Sequence, residues 1–113
     1  MIISSTPPST IDGCNGVNGI FNFAGGRNIT VKNLNIVNVK ETAIRSESSG
    51  NDQITFINCT FENTGEAINS NKITFISGCE FENIKSTAVK LYSTQSTANI
   101  IDKSTFENCN SKN

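Results

Sequence analysis

The sequence predicts an all-β coil in which short parallel strands stack turn upon turn. Three observations carry that expectation. An apolar anchor followed by a turn residue recurs five times along the 113 residues. Around each recurrence apolar and polar residues alternate with the period of two that marks a strand with one buried face. The aliphatic residues include 15 Ile but only two Leu, a bias toward β-branched side chains that suit a pleated surface.

The anchors Ile11, Ile36, Phe61, Phe81 and Phe106 lie 25, 25, 20 and 25 residues apart. Their surroundings keep register: Thr60-Phe61-Glu62-Asn63 returns as Glu80-Phe81-Glu82-Asn83 and as Thr105-Phe106-Glu107-Asn108, and earlier as Asn35-Ile36-Val37-Asn38. Two residues before the anchors stand Ser9, Leu34, Cys59, Cys79 and Ser104, and three after them Cys14, Val39, Thr64, Ile84 and Cys109. An upstream strand supplies Val31, Phe56, then Phe75 if Gly78 is an extra residue, and Ile101. A downstream strand supplies Gly19-Ile20, Ala43-Ile44, Ala67-Ile68 and Ala88-Val89. Along Ile54–Phe61 an irregular step near Asn58 re-phases the alternation. Such a unit holds two or three strands and no helix, so successive turns stack at about 4.8 Å. The expected organisation is a lead-in at 1–8, about five short rungs over 9–110 and a polar tail at 111–113.

Composition removes several functions. Nine Lys+Arg against ten Asp+Glu give a formal net charge of −1 and no basic stripe for nucleic acid. No apolar run approaches the roughly 20 residues of a membrane-spanning helix. Histidine is absent, which excludes histidine triads, two-histidine zinc sites and histidine pH switches. Asn, Ser and Thr make up 42 of the 113 residues, yet β-branched and aromatic residues recur on a plan that a disordered chain lacks. The start, Met1–Ile11, has neither a basic nor a long apolar region, so no signal peptide is read there and a secreted parent would carry its leader outside this chain.

Ile11-Asp12-Gly13-Cys14-Asn15-Gly16, Gly19–Phe23 and Asn28–Ile36 together resemble the right-handed parallel β-helix proteins of the pectin-lyase-like superfamily. The units Phe56–Asn63 and Gly65-Glu66-Ala67-Ile68 are similar to the repeats of polymorphic outer-membrane proteins and related surface adhesins, which pair F-x-x-N with G-G-A-[ILV]. Here the Asn falls one place early and Glu66 replaces the second Gly. The resemblance spans roughly residues 9–109 and is specific for fold rather than chemistry. It implies a right-handed parallel β-helix with an extracellular or cell-surface setting.

The columns have readings of their own. Asn38, Asn63, Asn83 and Asn108 follow the anchors where the chain turns; Asn tolerates the left-handed conformation, and stacked amides bond to one another as a structural ladder. Cys59 and Cys79 share an inward column and are expected as buried thiols, whereas Cys14 and Cys109 share a column four turns apart, about 19 Å, beyond disulfide reach. Glu62, Glu82 and Glu107 form an outward acidic column, with Asp12 in the first turn, Val37 as a break and Glu80 alongside. This column is the candidate binding surface. Its stacked charges repel weakly, and Ca²⁺ is the one cofactor it suggests, although a hydrated row of Glu tips suffices to explain it. Asn28-Ile29-Thr30 and Asn58-Cys59-Thr60 match the glycosylation pattern, and Gly25-Gly26 and Gly65 read as turn residues.

Relatives in the resembled superfamily cleave acidic polysaccharides, the lyases with an Arg base and carboxylate-held Ca²⁺, the hydrolases with clustered Asp. Neither set maps here, because Asp12, Asp52 and Asp102 are dispersed. A hydrolase needs two carboxyl groups with divergent pKa values. The expected function is a non-catalytic surface or adhesin-type module that binds polysaccharide or a surface protein along an exposed face. A fragment of a polysaccharide lyase or glycoside hydrolase is the alternative. Pro7-Pro8 and the abrupt finish after Cys109 further predict a piece of a longer solenoid, or end-to-end stacking.

Overall fold

The computed structural model describes residues 1–24, 28–47, 52–92 and 99–111. It is an all-β parallel solenoid of about four turns. The strands are β1 (Ile2–Asp12), β2 (Phe21–Phe23), β3 (Ile29–Ser46), β4 (Gln53–Ile57), β5 (Thr60–Ser70), β6 (Ile73–Ser77), β7 (Glu80–Thr87), β8 (Val89–Leu91), β9 (Ile100–Asp102) and β10 (Thr105–Ser111). Every pairing is parallel, and none joins strands adjacent in the chain except β2 with β3 and β3 with β4. The long β3 bends through all three walls of one turn.

The first wall stacks Ile3, Val31, Phe56, Ile76 and Ile101. The second stacks the anchors Ile11, Ile36, Phe61, Phe81 and Phe106, in the register the repeat predicts. The third stacks Phe21, Ile44, Ile68 and Val89. Among the described residues the third wall has four levels and the other two walls have the five expected, which together make about four full turns. Inward side chains close the core: Phe61 and Phe81 stack at 5.2 Å and Phe81 and Phe106 at 4.8 Å, while Phe56 meets Phe61 edge-on at 6.2 Å. These aromatic contacts add to the burial of the rings themselves.

Two columns of left-handed residues turn the chain. Asn38, Asn63, Asn83 and Asn108 have φ of 53–59°. Asn33, Asn58, Gly78 and Lys103 form a second such column one residue before Leu34, Cys59, Cys79 and Ser104. This second turn is the physical origin of the re-phasing near Asn58: a left-handed residue rotates the following side chain back to the core.

It also corrects the fourth rung. Gly78, with φ of 65°, occupies the place of Asn58 and is not an insertion. Phe56 therefore pairs with Ile76, and Phe75 pairs with Thr55 on the outside. Thr74 takes the core position of Ile54 and satisfies its hydroxyl with Lys72 O at 2.8 Å and Ser70 Oγ at 3.1 Å. Three other expectations shift. Pairing starts at Ile2, so residues 1–8 belong to the first rung, with the register irregularity falling between Ser4 and Ser9. Phe21, not Ile20, stands over Ile44; Ile20 aligns with Ala43. Cys14 leaves the column of Cys109, because Gly13–Gly16 makes a turn and Val17 reaches the level of Val39 instead. The Gly25-Gly26 pair and Lys112-Asn113 of the tail lie outside the described residues.

Candidate functional site

The third wall carries an outward column that the residue pattern did not single out. Asn22, Arg45, Asn69 and Lys90 are register partners on successive turns, each flanked by inward neighbours, so period two aims all four at solvent. Their spacing is fixed by the backbone ladder and not by the side chains. Lys90 Nζ lies 5.5 Å from the ring centre of Tyr92, and the Tyr92 hydroxyl raises its pKa.

Beside this column the corner between the second and third walls is hollowed. One hollow of about 300 Å³ is lined by Asn18, Gly19, Phe21, Asn22, Glu41, Thr42 and Arg45. A second of about 290 Å³ is lined by Lys40, Glu41, Thr42, Gly65, Glu66 and Ser86. Glu41 and Thr42 border both. Gly65 is required at the wall: a Cβ there would sit 2.6 Å from Glu41 O and 2.8 Å from Lys40 O.

Hydrogen bonds pre-organise the polar lining. Buried Thr42 donates its hydroxyl to Glu66 Oε1 at 3.0 Å, and Asn69 Nδ2 donates to the same oxygen at 3.0 Å. Arg45 Nη2 donates to Thr42 Oγ1 at 3.3 Å. The result is a chain of guanidinium, hydroxyl, carboxylate and amide held in one orientation, with the remaining donors and acceptors open to solvent.

The acidic column stands on the second wall. Glu62, Glu82 and Glu107 are register partners, and Glu80 lies two residues from Glu82 on the same face. Asp12 stands in the same column but is engaged elsewhere: its Oδ1 accepts from Cys14 N at 2.7 Å and Asn38 Nδ2 at 3.1 Å. Those bonds, the backbone one first, hold its carboxyl below the usual range. Asp12 thus begins the amide ladder, in which Asn63 Nδ2 donates to Asn38 Oδ1 at 2.7 Å and Asn108 Nδ2 to Asn83 Oδ1 at 3.2 Å. Among the described residues no three His, Cys, Asp or Glu side chains converge to hold a metal ion.

Cys59 and Cys79 are buried free thiols, each facing main-chain carbonyls at 3.5–3.6 Å. The contact with Cys59 and burial push the Cys79 thiol up. Of the glycosylation matches, Asn28 is exposed but its Oδ1 accepts Gln53 N at 2.9 Å, tying two turns together.

No family model, no curated protein and no solved structure matches this chain. The signals that pointed to the third wall were present but thin: Arg45 is one of two arginines and Tyr92 the single tyrosine. Neither repeats, so no column in the sequence marks them.

Proposed function

We propose that this chain is a non-catalytic repeat segment of a right-handed, pectin-lyase-like β-helix, displayed at the cell surface or outside the cell, which binds a glycan or protein along one exposed face. The supporting observation is the third wall, where the Asn22–Arg45–Asn69–Lys90 column runs beside two neighbouring hollows, the first of them lined by Asn22 and Arg45. Planar amide and guanidinium groups offer paired donors and acceptors that suit vicinal sugar hydroxyls. Their repeat of about 4.8 Å along the axis suits a ligand that is itself a repeating chain. This favours a glycan over a protein.

Affinity electrophoresis through gels containing soluble polysaccharides tests the reading. Retardation that Arg45→Ala and Asn69→Ala abolish, and that Glu82→Gln leaves intact, is the expected result. Absence of retardation in every polysaccharide, or indifference to Arg45→Ala, refutes it. One observation favours the hydrolase alternative: Glu41 and Glu66 line the same hollow, as a pair of catalytic carboxyls must. Appearance of new reducing ends without unsaturated sugar on incubation with the purified chain, lost in Glu66→Gln, would establish that alternative.

A further inference from the structure

The third wall carries an aromatic ring that the core does not claim. Tyr92, 50% exposed, is the one exposed ring among the seven Phe and one Tyr. Its N donates to Ser70 O at 2.8 Å, as Asn71 N does to Ser46 O and Glu47 N to Phe23 O on the turns before. Glu47, Asn71 and Tyr92 thus form a column, and all three are exposed. They lie two residues beyond Arg45, Asn69 and Lys90, so period two aims them at the same side of the wall. Lys90 Nζ lies 5.5 Å from the ring centre. The Tyr92 hydroxyl first, and the Glu66 charge after it, raise the Lys90 pKa, and Glu66 is itself bonded to Thr42 and Asn69. The ring is therefore tied to the polar groups that border the hollows.

We infer that Tyr92 is the platform on which one end of the bound glycan stacks, and that the ligand is a chain of pyranose units whose hydroxyls are equatorial. The inference rests on the glycan reading of the third wall. In a unit of that kind the hydroxyls lie at the rim and both faces carry C–H groups alone. One face then covers the aromatic ring, while the rim meets the guanidinium, amide and ammonium groups beside it. A unit with axial hydroxyls or axial linkages sets oxygen against the ring and forfeits that contact.

The wall also fixes the length of the ligand. Three rung spacings, about 14 Å, separate the turn of Asn22 from that of Lys90. A glycan running along the axis at roughly one unit per rung fills them with about four units. Tyrosine suits the terminal contact, because it brings a large rigid surface with few side-chain torsions to immobilise.

Tyr92 is the single tyrosine and tryptophan is absent, so the tyrosine emission of the native chain reports this ring alone. Affinity gels of hydroxyethyl cellulose, galactomannan and polygalacturonate, paired with emission titrations, are the test. Hydroxyethyl cellulose should retard the chain most and change the emission as it binds. Tyr92→Ala should weaken the retardation at least about tenfold, while Tyr92→Phe, which keeps the ring, should hold it within about threefold. Cello-oligosaccharides should gain affinity up to about four units and no further. Retardation that leaves the emission unchanged, or that survives Tyr92→Ala, overturns this inference and leaves the glycan reading standing. A preference for either of the other two polymers does the same. Absence of retardation in every gel overturns both.

Discussion

Replacing Ile76 and Phe75 separately by Ala distinguishes the register of the fourth rung from the one that sequence identity suggests. Ile76 is 1% exposed, with Phe56 on one side and Ile101 on the other. Removing three carbons there loses their transfer free energy and leaves a cavity between two rigid turns, a cost of about 2–4 kcal/mol. Phe75 lies outside, half-exposed beside Thr55 and Ile100. Its truncation forfeits part of the burial of one ring, about 1 kcal/mol. Urea unfolding followed by circular dichroism measures both. The identity-based alignment of Ile73-Thr74-Phe75-Ile76 with Ile54-Thr55-Phe56-Ile57 reverses the order of these losses. A larger loss for Phe75→Ala than for Ile76→Ala would refute this register.

Four further outcomes follow from the geometry. Asn63→Ala should destabilise by about 2–3 kcal/mol in the same assay, because it removes the hydrogen bond donated to Asn38 and places Ala at a φ of 55°; Asn63→Gly, which accepts that φ, should cost about 1 kcal/mol. The Thr64 hydroxyl is buried without a hydrogen-bond partner among the described residues, so Thr64→Val should stabilise by about 1 kcal/mol. Asp12 has a folded pKa below its unfolded one; its contribution is therefore complete above the unfolded value and lost as pH falls through the folded one. Melting temperatures should drop below about pH 4 and drop less in Asp12→Asn. Thiol titration of the native chain should label exposed Cys14 fast and Cys109 more slowly, with Cys59 and Cys79 reacting only after unfolding; fewer than four thiols in unreduced, unfolded protein would contradict the free pairs.

The anchors were legible because strong alternation and a recurring turn residue agree over five turns. Asn63 and Asn83 locate the turns for the same reason: the left-handed conformation selects Asn locally, with no help from distant contacts. Register in the fourth rung was not legible. Ile73, Phe75 and Ile76 are apolar on both parities, so alternation alone does not choose which face enters the core. The second left-handed column chose it, by aligning Gly78 with Asn58 and Cys79 with Cys59.

The candidate site divides in the same way. The Glu column was visible as a repeat of like residues, and the structure sets it in register on the second wall. Asp12 looked like its fourth carboxylate, but hydrogen bonds from Cys14 N and Asn38 Nδ2 draw its carboxylate to the amide ladder. Asn22, Arg45, Asn69 and Lys90 share no identity and became a column only when the walls were stacked. The sequence by itself determined what each turn needs locally: β-branched and aromatic residues inward at period two, and Asn or Gly at the bends. Only the tertiary structure decided which unlike residues became neighbours across turns, because cross-strand proximity at about 4.8 Å depends on the whole path of the chain between them. That path leaves its polar hollow on the third wall and its apolar stripe on the first.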